Sequence, residues 1–182
     1  VLVIDMPYQT YRNKKEAYKN AKKIIKSTKC DALKLEGGKK IINVVKYLIK
    51  KNIPVMGHVG LLPQSERGKF KFKGRSSVER KRIIEDARLL SNAGVFAIVI
   101  ECVEESLAKI ISESIPVPTI GIGASKHCDG QILVTDDLVG LSNFTPKFIR
   151  RYSNIKKIIN KSVLRFRHDV INKKFPSRRN IY

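Results

Sequence analysis

Short runs of β-branched and aliphatic residues alternate with longer stretches of helical periodicity along most of this chain, and this alternation limits its fold more than any other feature. Short apolar runs bounded by turn residues are typical of buried strands, and the stretches between them are long enough to be crossover helices. A succession of strand, helix and strand builds a parallel sheet covered by helices. The sequence therefore predicts an α/β fold.

The predicted elements follow one another in a regular order. Strands are predicted at residues 2–5, 32–36, 54–58, 96–101 and 117–122, and helices at residues 14–27, 39–51, 77–93, 104–114 and 145–172. Because 182 residues bury one core and seldom divide further, we predict a single domain over residues 1–182. The opening Val-Leu-Val-Ile-Asp resembles the middle of a buried strand, so we expect this chain to be a C-terminal fragment of a longer protein.

The formal net charge of +21 raises the question of a nucleic-acid partner. However, the lysines are scattered along the predicted helices, without interleaved aromatic residues or a nucleic-acid-binding motif. We interpret the charge as the solvated helix surfaces of a protein rich in lysine, isoleucine and asparagine, and we expect no nucleic-acid partner. The basic segment at residues 144–182 leaves one alternative open, which is contact with an anionic partner.

Two further observations concern the compartment of the protein. Apolar runs such as Phe96–Ile100 are far shorter than the roughly 20 residues that a bilayer crossing requires, so no membrane partner is expected. Cys30, Cys102 and Cys128 lie far apart and form no metal-binding spacing. A reduced, cytoplasmic protein is the simplest interpretation.

Polar residues stand at the ends of four predicted strands. Asp5, Glu36, His58 and Glu101 each close an apolar run just before a loop. A single acid in such a place often caps the following helix or ends the strand. In a (β/α)₈ barrel, by contrast, the carboxyl ends of the strands converge on one rim, and that rim carries the active site. Taken together, the four residues predict an active site.

Several short motifs follow one another along the chain. In chain order they are Asp5-Met6-Pro7, Lys34-Leu35-Glu36-Gly37-Gly38, Pro54-Val55-Met56-Gly57-His58-Val59-Gly60-Leu61 with Pro63-Gln64-Ser65, Glu101-Cys102-Val103, Thr119-Ile120-Gly121-Ile122-Gly123-Ala124, Cys128-Asp129-Gly130-Gln131, Lys147-Phe148 and Arg151-Tyr152. Together they resemble the motifs of the ketopantoate hydroxymethyltransferases. The resemblance covers nearly the whole chain. It implies a (β/α)₈ TIM barrel, here without the first two strands and the Asp-Ser pair that they carry in the family.

The resemblance also implies roles for the residues at the strand ends. Asp5 and Glu36 match ligands of a divalent cation, usually Mg²⁺, which prefers hard oxygen ligands. Asp5, Lys34 and His58 are expected to contact the keto acid, and Glu101 matches the catalytic proton acceptor. Two alternatives stay open: one in which Lys34 is only a structural partner of Glu36, and one in which His58 is a rim histidine without a ligand.

The activity implied by the resemblance is transfer of a hydroxymethyl group from 5,10-methylenetetrahydrofolate to α-ketoisovalerate. The product is ketopantoate, formed through a metal-stabilised enolate, in pantothenate and coenzyme A biosynthesis. The folate is a co-substrate, no residue is assigned to it, and the family implies a homo-oligomer, commonly a decamer. The alternatives are another Mg²⁺-dependent keto-acid lyase or mutase on a related barrel, or a catalytically inactive basic binding protein.

Overall fold

A computed structural model describes residues 1–66, 71–143 and 146–182. Two sequence-based predictions extend beyond these ranges: the long loop after the third strand includes residues 67–70, and the last helix was predicted from residue 145. The chain divides into two compact units, Val1–Ile132 and Leu133–Tyr182, and each is described by itself. The single domain over residues 1–182 stays a prediction.

The first unit is a parallel sheet whose strands follow chain order, with helices in the connections. Its strands are β1 (Val3–Asp5), β2 (Ala32–Glu36), β3 (Val55–Gly60), β4 (Ala97–Glu101), β5 (Thr119–Ile122) and β6 (Gly130–Gln131), and its helices are α1 (Lys14–Thr28), α2 (Ile42–Lys50, after a 3₁₀ turn at Lys39–Ile41), α3 (Ser77–Ala93) and α4 (Glu105–Ser114). The predicted α/β fold is confirmed. In the described residues β1 and β6 each pair with one strand, so closure into a (β/α)₈ barrel stays a prediction.

The two faces of the sheet differ in composition because successive side chains of a strand point to opposite sides. One face packs against the helices and forms the buried core. Its strand residues include Leu33, Leu35, Val55, Val59, Ile98 and Ile100. The opposite face of the same strands carries the polar residues predicted at the strand ends, so apolar packing fixes where those residues point.

Capping interactions define where the helices begin and end. The side chain of Asn13 accepts a hydrogen bond from Glu16 N at the start of α1, and Ser76 does the same for Glu79 N at the start of α3. Gly94 ends α3 in the left-handed conformation. The predicted bounds of α3 are confirmed. None of the helices in the described ranges has both the length and the apolar character that crossing a membrane requires.

The second unit contains α5 (Thr135–Leu138), α6 (Ile155–Ile171) and a 3₁₀ turn at Arg178–Asn180. The prediction that the last helix begins at residue 145 is wrong. Pro146 lacks an N–H donor, and the helix begins only after Asn154, whose side chain accepts a hydrogen bond from Lys157 N. Neither α5 nor β6 was predicted, because each is too short to show a periodic pattern.

Arg80 and Glu104 join the start of α3 to the start of α4. Arg80 Nη1 donates to Glu104 Oε2 at 2.6 Å, and Arg80 Nη2 donates to Ser106 Oγ at 3.1 Å. The carboxylate of Glu104 also accepts from the backbone N–H groups of Ser106 and Leu107. Hydrogen bonds from the Ser106 hydroxyl and from Arg80 lower the pKa of Glu104 to about 2. These contacts hold the starts of the two helices together near the carboxyl ends of the strands.

Gly60 offers a test of backbone packing between β3 and β4. A Cβ at Gly60 would lie 2.3 Å from the Glu101 carbonyl oxygen, and the residue has a φ of +97°. We expect Gly60→Ala to lower the free energy of unfolding by about 3 kcal/mol, from backbone strain plus overpacking. Gly94→Ala is the matched control, because Gly94 has a similar φ of +91° but its Cβ would meet nothing closer than 3.8 Å. It should cost only about 1 kcal/mol in urea unfolding, and equal costs would contradict the predicted clash.

The lowered pKa of Glu104 predicts a pH-dependent contribution to stability. A carboxyl whose folded pKa is depressed stabilises the fold above its ordinary pKa of 4.5, and this contribution disappears as the pH falls towards about 2. We therefore expect the difference in urea midpoint between the wild type and Glu104→Gln to be present at pH 7 and to vanish over that window. Glu105→Gln in the same helical turn is the control. A Glu104→Gln difference that persists at the lowest pH would show that the charge is not responsible.

Candidate active site at the carboxyl ends of the strands

The parallel register brings the predicted site residues onto one face of the sheet. Asp5 pairs with Lys34, Glu36 pairs with His58, and Gly60 pairs with Glu101. Paired residues of neighbouring strands point to the same side, and residues two apart on one strand do so as well. The five residues that result are called the rim cluster: Asp5, Lys34, Glu36, His58 and Glu101. All of them lie on the face opposite the helices.

A row of close polar contacts connects four members of the rim cluster. Lys34 Nζ lies 2.9 Å from Asp5 Oδ1 and 3.1 Å from His58 Nδ1. On the other side of the imidazole, His58 Nε2 lies 3.2 Å from Glu101 Oε2. This last pair is within ion-pair distance but is not aligned as a hydrogen bond, so Nε2 has no hydrogen-bond partner in the described residues. The structure thus brings Asp5, Lys34, His58 and Glu101 together.

Burial differs along this row. The side chain of His58 is 1% exposed, those of Lys34 and Glu101 are each 16% exposed, and that of Asp5 is 51% exposed. Water is therefore largely excluded at the end of the row that contains His58 and Glu101. Electrostatic and hydrogen-bonding effects are stronger where water is excluded. The end at Asp5 is open to solvent, where a ligand can enter.

Glu36 lies beside this row and is only 8% exposed. Its Oε2 accepts a hydrogen bond from the backbone N–H of Gln64 at 3.1 Å. Burial raises the pKa of Glu36 above its ordinary value, an effect that nearby His58, the Gln64 N–H and the charge of Lys34 offset only in part. Lys34 forms an ion pair with Asp5 and interacts with Glu36 through its charge.

The donor set of the rim cluster suits one kind of metal. Within the described ranges, no group of three or more His, Cys, Asp or Glu side chains could hold a metal ion. The cluster does offer the carboxylates of Asp5 and Glu36, and the charge of Asp5 contributes to the raised pKa of Glu36. Mg²⁺ typically takes one or two protein carboxylates and fills its other positions with water and substrate. The residues present therefore fit an open Mg²⁺ site and not a closed structural one.

A cavity of about 790 Å³ adjoins the rim cluster at Glu36. Its walls include Tyr8, Tyr11, Gly37, Val59, Leu62 and Ile83. A volume of this size is in the range that holds a small-molecule ligand. Two residues that contact Glu36 were not assigned to the site from the sequence. Gln64 acts through its backbone N–H, which leaves no mark in the residue types, and Tyr11 donates its hydroxyl hydrogen to the Glu36 carbonyl oxygen at 3.5 Å from the loop before α1, away from the predicted strand ends.

Cys102 follows Glu101 and has a left-handed φ of 48°. Its backbone N–H donates to the Ile122 carbonyl at 2.9 Å, which holds the turn after β4 against β5. Burial, with a further contribution from the charge of Glu101, raises the pKa of the Cys102 thiol to about 11. A thiol with so high a pKa is a poor nucleophile at neutral pH. The Cys102 thiol is therefore poorly suited to act as a nucleophile at this rim.

Two kinds of comparison relate this chain to known proteins. A family model described as ketopantoate hydroxymethyltransferase matches residues 1–178. Three relatives named 3-methyl-2-oxobutanoate hydroxymethyltransferase also match. The protein of Pelagibacter ubique (strain HTCC1062) is 62% identical over 182 residues (100% of this chain, 70% of the relative), that of Phenylobacterium zucineum (strain HLK1) is 50% identical over 185 (100% and 67%), and that of Caulobacter vibrioides (strain NA1000 / CB15N) is 48% identical over 179 (97% and 65%).

This chain spans about two thirds of the length of these relatives, between 65% and 70%. The matched region includes every member of the rim cluster, because the family model covers the chain from its first residue to residue 178. Both the family model and the relatives bear the name of the same enzyme class. The chain therefore belongs to the ketopantoate hydroxymethyltransferase family.

Proposed function

We propose that this protein transfers a hydroxymethyl group from 5,10-methylenetetrahydrofolate to α-ketoisovalerate and so forms ketopantoate. The observation that carries the proposal is the rim cluster, in which an acid suited to proton abstraction, Glu101, lies on the same face as Asp5, Lys34 and Glu36. Family membership supports the hydroxymethyltransferase activity. The folate donor and the mechanism are inferences from resemblance and chemistry.

Asp5 and Glu36 are the proposed holders of Mg²⁺. The fit rests on Glu36, whose buried carboxylate is stabilised in its charged form by any nearby cation. When bound, Mg²⁺ would polarise the keto group and stabilise negative charge on the enolate oxygen. Asp5 lies at the solvent-open end of the cluster, so it is the residue that both the ion and the keto acid would meet on entry.

Glu101 is the proposed catalytic base, which removes the proton from C3 of the keto acid. Its side chain is mostly buried on the polar face of the sheet, where its carboxylate can accept a proton from a bound ligand. The enolate carbon then attacks the one-carbon unit of the folate, so that a bond forms from C3 to the donor carbon. Both bonds from the donor carbon to the two folate nitrogens break, and water supplies the hydroxyl group of the product. The two nitrogens gain one proton each, one from C3 of the keto acid and one from the water.

Lys34 completes the proposed substrate side of the cluster. An ammonium has three N–H donors, and contacts with Asp5 and His58 account for two of them. We assign the third to an oxygen of the keto acid, where a positive charge favours the enolate. By family resemblance, we place this site in a complete (β/α)₈ barrel and a homo-oligomer, commonly a decamer, in cytoplasmic pantothenate and coenzyme A biosynthesis.

The proton-abstraction step can be tested without the folate. We expect the full-length protein with Mg²⁺ to exchange the C3 proton of α-ketoisovalerate for deuterium, followed by proton NMR in D₂O. Glu101→Gln keeps the side-chain shape but removes the base, so exchange should fall by about a hundredfold to ten-thousandfold.

Glu113→Gln on the outer surface of α4 is the matched control, because Glu113 is 63% exposed and lies away from the strand ends. It should leave the exchange rate unchanged. A folded wild-type protein that shows no exchange with Mg²⁺, or equal loss in both variants, would refute the proposed function.

The proposed metal ligands predict a separate change in Mg²⁺ affinity. Asp5→Asn and Glu36→Gln each remove one negative charge from the ion's surroundings, so the Mg²⁺ concentration that gives half-maximal exchange should rise more than about tenfold. Titration calorimetry with Mg²⁺ in the presence of keto acid should likewise show weaker Mg²⁺ binding in both variants than in the wild type. Chelation of the metal should abolish exchange in the wild type. Unchanged Mg²⁺ affinity in both variants would remove these residues from the metal site.

A further inference from the structure

We infer that His58 is a positioning residue for Glu101, and that Lys34 fixes the imidazole tautomer on which this depends. The inference rests on the proposed function in one respect, the role of Glu101 as the base. It departs from the sequence-based expectation that His58 contacts the keto acid. The inference is based on the contacts that Lys34 and Glu101 make with the two ring nitrogens of His58.

The contact between Lys34 and His58 determines which ring nitrogen bears the proton. Lys34 Nζ lies 3.1 Å from His58 Nδ1, and an ammonium can only donate. Nδ1 must therefore accept, and in a neutral imidazole the proton is then on Nε2. Asp5 Oδ1, 2.9 Å from the same Nζ, holds the ammonium in place. The ring is thus held as the Nε2–H tautomer.

The Nε2–H group faces Glu101 from a buried position. His58 is 1% exposed, and Glu101 Oε2 lies 3.2 Å from Nε2 without the alignment of a hydrogen bond. A buried donor without a partner is unfavourable. The side chain of Glu101 retains some exposure and can turn, so a small rotation of its carboxylate completes the contact. Catalytic hydrogen bonds that tighten only in the substrate complex are a common feature of unliganded sites.

A neutral donor at Oε2 has two consequences for the base. It holds one carboxylate oxygen and leaves Oε1 to receive the C3 proton. It also leaves the negative charge on Glu101, because a neutral imidazole does not form the full ion pair that an imidazolium would form. Since Nδ1 contacts Lys34 and Nε2 faces Glu101, neither ring nitrogen is left to bind the keto acid.

The tautomer can be measured directly in the full-length protein without substrate or metal. The chain has three histidines, His58, His127 and His168, so ring-¹⁵N-labelled protein gives few signals and a His58→Gln spectrum assigns the signal of His58. We expect His58 to be neutral with the proton on Nε2. In Lys34→Met, which lacks the donor, the populations should shift towards the Nδ1–H tautomer. A His58 ring protonated on Nδ1 in the wild type, or a spectrum unchanged by Lys34→Met, would overturn the inference.

A pair of substitutions then separates positioning from substrate binding. The amide nitrogen of glutamine can stand near the Nε2 position, whereas the shorter asparagine reaches only the Nδ1 position. We expect deuterium exchange in His58→Gln to fall less than about tenfold and in His58→Asn by about a hundredfold, with little change in the KM for keto acid in either. Thermal unfolding of both variants checks that they fold alike.

Equal losses in the two folded variants, or a raised KM with an unchanged maximal rate, would overturn the positioning role. The wild-type exchange rate tests the proposed function separately, because it requires Glu101 and Mg²⁺ whatever His58 does. The ¹⁵N spectrum needs no activity at all. Failure of the inference and failure of the proposed function therefore give different results.

Discussion

The register between β2 and β3 is the constraint on which the candidate site depends. Leu35 pairs with Gly57 and Glu36 pairs with His58, so that apolar residues face the helices and polar residues face the other way. A shift by one residue would turn every side chain of a strand to the opposite face. It would bury the charges of Lys34 and Glu36 among the helices. The packing of the apolar face therefore specifies the register, and the register assembles the rim cluster.

Within the rim cluster, burial makes the polar side chains dependent on hydrogen bonds from neighbouring groups. His58 and Glu36 are both nearly excluded from water, and each depends on neighbouring groups for its hydrogen bonds. Lys34 meets part of this need by donating to His58 while Asp5 balances its charge. Glu36 is satisfied differently, by a backbone N–H from the loop that follows β3. The strands thus supply the side chains of the rim cluster, and the loop after β3 supplies a backbone N–H donor to Glu36.

The difference between these two sources explains what could be predicted from the sequence. Asp5, Glu36, His58 and Glu101 were found because a polar residue after an apolar run is visible in a single chain, and the alternation of strands and helices gave the α/β class. The hydrogen bond from Gln64 N was not predictable, because a backbone donor leaves no mark in the residue types. The pairing of Lys34 with Asp5 and His58 also depends on side-chain distances between strands, which patterns within one strand do not contain. The start of α6 was misplaced because the basic, apolar pattern continues upstream of Asn154, where the capping side chain begins the helix.

The close approach of β3 to β4 links the fold to the chemistry most directly. A Cβ at Gly60 would collide with the Glu101 carbonyl, and Leu61 N donates to that same carbonyl at 2.9 Å. His58 stands two residues before Gly60 on the same face, so the backbone contact that requires glycine at position 60 also sets how far the imidazole is from the Glu101 carboxylate. A side chain at position 60 would push the strand ends apart at the point where Nε2 and Oε2 are within reach. The glycine therefore serves the site through backbone distance alone, without contributing any functional group.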